Sequence, residues 1–118
     1  MADGDTATSH SRIANQVVTA FKRHTGRGPT RARVNISDEL VTVLMRDVLT
    51  DIERNLLERE GTEGQQSIHD LRFRVQEAMR DDLVAIIEAE TGREVIAFMS
   101  ANHIDPDMAL ESFVLAPR

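Results

Sequence analysis

The sequence predicts an α+β fold, in which a four-stranded, mainly antiparallel sheet is built from two β-hairpins over residues 31–46 and 94–116. One long helix and two shorter ones pack on it, in the order α-β-β-α-α-β-β. Two observations carry this reading. Between Gln65 and Glu90 the apolar residues Ile68, Leu71, Val75, Ala78, Met79, Leu83 and Ile86 recur at three- and four-residue steps, which gathers them on one face of a 3.6-residue helix. On either side of that helix the pattern changes to alternation or to short unbroken apolar runs, the marks of strands. At about 1.5 Å per residue the helix runs roughly 39 Å, so its ends should overhang the sheet it covers. Strand order stays open.

The chain has 118 residues, which suits one domain with a single core. Four phenylalanines and no Trp or Tyr leave that core to aliphatic side chains and methionine. The absence of cysteine excludes disulfides, thiolate nucleophiles and Cys-based zinc sites, and it suits a reducing cytosol. No window reaches the eighteen or so apolar residues of a membrane span, so the chain itself conducts no ion through the bilayer.

Residues 1–11, MADGDTATSHS, are small and polar without periodicity and read as a disordered tail before a single domain over 12–118. Ile13, Val17, Ala20, Phe21 and His24 then follow helical steps to about residue 25, and Gly26 is placed to end the helix. Gly26-Arg27-Gly28-Pro29 reverses the chain into an extended segment. From Arg31 to Ile36, Ala32, Val34 and Ile36 alternate with Arg31, Arg33 and Asn35. Leu40–Arg46 is apolar on both sides, as in an inner strand.

Thr50-Asp51-Ile52-Glu53 is a capping box opening a second helix that should bury Ile52, Leu56 and Leu57 and stop near Glu60. After the long helix, Thr91-Gly92 is the stop, Val95–Met99 is an unbroken apolar run, and Asp105-Pro106-Asp107 turns the chain into a closing strand over Glu111–Ala116.

Net charge is −6, which speaks against nucleic acid as a partner, yet the charge is uneven. Arg12–Arg33 holds six basic residues and no acid, whereas the chain from Val34 onward holds eighteen acids and eight bases. Arg23, Arg27, Arg31 and Arg33 are expected to form one positive surface near the Gly-Arg-Gly-Pro turn, fitted to an anion or an acidic partner. The plainer account is a solvated helix end followed by a solvated strand face. Phe73, Val84 and Ile87 lie off the main stripe of the long helix and are the candidate interface, in a dimer or higher symmetric oligomer. His103, Asp105 and Asp107 are the one concentrated candidate for a metal, against the ordinary role of Asp-Pro-Asp in capping its own turn. No catalytic residue is assigned, and no cofactor.

Several of these segments together, from about Ile13 to Ala116, resemble a known family. They are Gly26-Arg27-Gly28-Pro29, Val48-Leu49-Thr50-Asp51-Ile52-Glu53, Thr91-Gly92-Arg93-Glu94-Val95, and Ser100–Leu115 with His103, Asp105-Pro106-Asp107, Glu111 and Phe113-Val114-Leu115. The chain is similar to the bacterial MpsC-like family, named for component C of a sodium-translocating, membrane-potential-generating system and earlier known as a domain of unknown function. The family pattern has a glycine before Val48, where this chain carries Asp47. The resemblance implies a cytosolic, non-enzymatic accessory or regulatory module, peripheral to a membrane transport protein of cation or inorganic-carbon (bicarbonate) uptake. A small anion- or metal-binding protein or enzyme is the alternative.

Overall fold

In the computed structural model of the chain, which describes residues 2–118 and their side chains from Ser9 onward, seven elements follow the expected order. They are α1 (Ala2–Thr25), β1 (Arg31–Ser37), β2 (Leu40–Arg46), α2 (Asp51–Glu60), α3 (Thr62–Thr91), β3 (Val95–His103) and β4 (Met108–Leu115). The four strands form one antiparallel sheet in the order β1-β2-β4-β3. Both hairpins are present, and β2 and β4 join them at the centre of the sheet. The doubly apolar Leu40–Met45 segment is indeed an inner strand. The equally apolar Val95–Met99 segment lies in an edge strand, with a register shift between Val95 and Ala97 that leaves Ile96 exposed.

All three helices lie on one side of the sheet. α1 packs on α3 and β1, α3 packs on β3, and α2 leans on α3. The core between the layers is Ile13, Val17 and Phe21 of α1, Met79, Leu83 and Ile87 of α3, and the alternate strand residues Val41, Val43, Met45, Phe113 and Leu115. The rings of Phe98 and Phe113 sit 5.2 Å apart and supply most of the aromatic packing. Each large side chain in this layer contributes about 1.5–3 kcal/mol by leaving water.

Local chemistry sets the joints. The Thr50 hydroxyl accepts from the Glu53 N–H at 3.3 Å, and Glu53 Oε1 accepts from the Thr50 N–H at 2.8 Å, so the capping box is complete. Between α2 and α3 a side chain at Gly64 would meet the Leu56 carbonyl oxygen at 2.5 Å, so only glycine lets the two helices approach this closely. Asp47 takes φ +59, the conformation glycine adopts most easily. The aspartate there also accepts a hydrogen bond from the Thr30 hydroxyl, a link that glycine lacks.

Four expectations need correction. The first helix begins at Ala2, so residues 2–11, read as a disordered tail, are helical. Once Ile13–Phe21 is anchored by packing, extending the helix backwards adds one hydrogen bond per residue fixed and needs no new nucleus. In α2 Ile52 is 72% exposed and Leu56 and Leu57 are only half-buried, because the buried position is taken by Glu53. In α3 Leu71 and Ala78 face solvent. Its buried face runs Gly64, Ile68, Arg72, Gln76, Met79, Leu83 and Ile87, which places Ile87, expected at an intermolecular interface, in the core with no exposure. A stripe drawn through apolar residues alone is rotated away from this face, since two of its members are polar.

Candidate functional site

Among the described residues nothing covers the side of the sheet away from the helices. Strand register places its residues in four cross-strand rows: Arg31, Arg46, Met108 and His103; Arg33, Leu44, Leu110 and Ala101; Asn35, Thr42, Ser112 and Met99; Ser37, Leu40, Val114 and Ala97. Leu40, Leu110 and Met99 are 41%, 38% and 54% exposed, so an apolar centre is open to water. Three arginines stand at one end of it, and none of the sixteen positions is an acid.

Arg31 and Arg46 are directly opposed across β1 and β2, an arrangement of like charges that destabilises a sheet. Among the described residues neither Arg31 nor Arg33 makes an ion pair, and Arg46 reaches only the Met108 sulfur, at 3.1 Å. Thr30, Arg31, Ala32, Arg33, Leu44 and Arg46 line a hollow of about 490 Å³ at this corner. The arrangement can hold carboxylates or another anion against an apolar floor.

Of the four arginines predicted to form a patch, the structure brings together only Arg31 and Arg33. Arg23 lies in the helical layer, where it donates to Asp82 Oδ2 at 3.1 Å beside His24, and those two partners hold the exposed Asp82 carboxyl below its ordinary range, with His24 the larger influence. Arg27 donates to the Asp47 carbonyl at 3.3 Å and braces the turn. Arg46 is the member that sequence reasoning missed. The two-residue turn at Asp38-Glu39 fixes the register that sets Arg46 opposite Arg31, so the signal lies in the hairpin rather than in the charge run.

A second polar constellation lies inside. Arg72 donates from Nε to Glu53 Oε2 at 2.9 Å, from Nη2 to Glu53 Oε1 at 2.5 Å, and from Nη2 to the Val48 carbonyl at 2.7 Å, with both side chains 3% exposed. This buried fork ties α3 to the start of α2. Glu111 on β4 is fully buried as well, and burial pushes its carboxyl up to about 7. The Ser100 hydroxyl and, more weakly, the Arg72 guanidinium oppose that shift. Neither Glu111 oxygen nor the Ser100 hydroxyl, its cross-strand neighbour, is aligned for a hydrogen bond, and Arg72 Nη1 is also without a partner.

The His103 turn is built for structure. Asp107 accepts from the Val48 N–H at 3.1 Å, from the Leu49 N–H at 3.0 Å and from Arg54 Nη2 at 3.1 Å, so its carboxylate caps the loop that enters α2. His103 Nδ1 lies 2.8 Å from the Pro106 carbonyl, as a donor to it. Among the described residues the Asp105 side chain makes no hydrogen bond or ion pair. Among the described residues no group of three or more His, Cys, Asp or Glu side chains is placed to hold a metal ion. Of the remaining candidate interface residues, Phe73 is 66% exposed and Val84 is half-buried beside Val95, Ile96, Ala97 and Phe98 of β3.

No helix of the described residues is long and apolar enough to cross a membrane. No curated protein and no solved structure matches the chain. The sequence pattern of one family, described as the Na+-translocating membrane potential-generating system (MpsC), matches residues 6–117, which is nearly the whole chain and every element of the fold. The chain therefore belongs to the MpsC family.

Proposed function

We propose that the chain is a non-enzymatic, cytoplasmic accessory or regulatory module of a membrane-potential-generating sodium system, tied to cation or bicarbonate uptake, and that it works by binding another component. The observation that carries this is the uncovered sheet face, with three arginines around exposed leucines. A side chain set of this kind recognises a surface and offers no acid-base pair for a reaction. The Asp107 carboxylate and the buried Glu53–Arg72 fork are committed to backbone groups and to their charged partners, and Glu111, which lacks a partner, is fully buried. The test compares membrane potential, read with a cationic dye in sodium medium, in cells with and without the chain. Loss of potential on deletion and its return on complementation support the reading, and an unchanged potential removes it.

A homodimer is the second reading, favoured by the β3 edge. Val95–His103 carries no acid, no lysine, no arginine and no proline, the features that usually guard an open edge, and Ile96 is 58% exposed. Phe73 lies eleven residues from Val84 on α3, hence on nearly the same side of the helix, and Val84 lies beside that edge. Antiparallel pairing of two β3 strands would close the edge and cover both side chains. Sedimentation at tens of micromolar should then give a dimer that Phe73→Glu shifts to monomer, whereas a monomeric parent chain rejects this reading.

A further inference from the structure

We infer that the uncovered sheet face is a docking site for an acidic, amphipathic helix of a partner protein, whose apolar stripe lies over Leu44, Leu110, Leu40 and Val114 and whose carboxylates meet Arg31, Arg33 and Arg46. This rests on the reading of the chain as a binding module and names the chemistry of what it binds.

Charge is the first argument. The face carries three arginines and no acid, on a chain whose net charge is −6, so the imbalance is local and left uncompensated by the fold. Like charges opposed at Arg31 and Arg46 are tolerable on a wet surface and become favourable when a carboxylate lies between them. Arginine's planar fork suits paired carboxylates, and the neighbouring leucines exclude water from such pairs.

Symmetry and shape decide among occupants. Four strands about 4.8 Å apart and four rows about 6.8 Å apart give a face of roughly 500 Å². That is a flat footprint, and area alone does not decide against a second copy; charge does. Two-fold stacking would place six arginines at one interface without a carboxylate on either face. A helix about 10–12 Å wide fits the same face as a ligand laid along the central strands β2 and β4, with β1 and its arginines on one flank. An anionic bilayer would meet the arginines but would be repelled by the rest of the acidic chain.

The chain contains no Trp or Tyr, so a single Trp in a synthetic ligand reports binding without background. The probe is a twenty-residue helix-forming peptide with leucines at i, i+3, i+7 and i+10, glutamates on one flank and one Trp. Its twin carries lysine for glutamate, and phosphatidylcholine vesicles with and without phosphatidylglycerol form the third arm. The full chain should bind the glutamate peptide saturably, at least tenfold more tightly than the lysine twin, and more weakly at 500 mM than at 50 mM salt. Arg31→Glu with Arg33→Glu should weaken binding at least tenfold, Arg31→Gln with Arg33→Gln less so, and Phe73→Glu by less than twofold. A thermal melt confirms that each variant is folded.

Equal binding of both peptides, no binding of either, or retained binding by the doubly substituted chain overturns the proposal. Vesicle binding stronger than peptide binding assigns the face to a lipid surface, and self-association abolished by Leu110→Glu assigns it to a second copy. Peptide binding together with an unchanged membrane potential on deletion leaves the docking site standing and removes the sodium-system role. A potential that depends on the chain without peptide binding does the reverse.

Discussion

The two faces of this sheet are made by the same four strands, residue by alternate residue, and they could hardly differ more. Toward the helices stand Val41, Val43, Met45, Phe113 and Leu115, all at 0–1% exposure, with one carboxyl group, Glu111, sealed among them. Away from the helices stand Arg31, Arg33 and Arg46 with Leu40 and Leu110, open to solvent, and the half-buried Leu44. The inner face holds an acid where the medium is apolar, and the outer face holds leucines where the medium is water. Each misplacement costs free energy on folding, which points to a use beyond folding on the outer side and, on the inner one, raises the Glu111 carboxyl well above its ordinary range.

The comparison breaks first at the buried fork. Arg72→Ala should cost about 3–5 kcal/mol in urea unfolding, because it leaves the Glu53 carboxylate buried without its partner. A cost below about 1 kcal/mol would mean that α2 and α3 are joined by packing alone.

Next come matched truncations on β4. Phe113→Ala on the inner face should cost about 3–5 kcal/mol, and Leu110→Ala on the outer face less than about 1 kcal/mol, since Leu110 is already 38% exposed and leaves no closed cavity. Similar losses at the two positions would show that the outer face is covered in solution.

Glu111 sharpens the inner side through pH. Its folded carboxyl titrates near 7, above its ordinary value of 4.5, so the folded state holds a proton that the unfolded chain gives up between those values. Stability should therefore fall as pH rises from about 4.5 to 7 and level off above, by about 3 kcal/mol in all. Glu111→Gln should flatten that slope, raising stability by about 2–3 kcal/mol at pH 8 and leaving it nearly unchanged at pH 4. An unaltered slope in the variant would place the titrating group elsewhere.

Much of this was legible in the sequence. Alternation in Arg31–Ile36, the capping box at Thr50 and the glycine at position 92 set the order and most boundaries of the elements, and the hairpins followed. Polarity inside the fold was hidden, because Arg72, Gln76 and Glu53 look like surface residues until the fork that satisfies two of them is seen. Drawing the stripe through Leu71 instead of Arg72 turned α3 by about one residue, and with it the placement of Ile87. The positive patch was half legible. Arg31 and Arg33 share a strand face in any reading, whereas Arg23 is near them in sequence and lies across the sheet in the helical layer. Arg46 required the register.

The most direct test of the division between the two faces is the sodium-dependent membrane potential of cells whose only copy of the chain carries Arg31→Glu, Arg33→Glu and Arg46→Glu. All three side chains are exposed and make no ion pair among the described residues, so the variant should accumulate and melt like the parent chain. The account predicts a potential no higher than that of cells lacking the chain. A potential equal to that of the parent, with the variant folded and abundant, would contradict it.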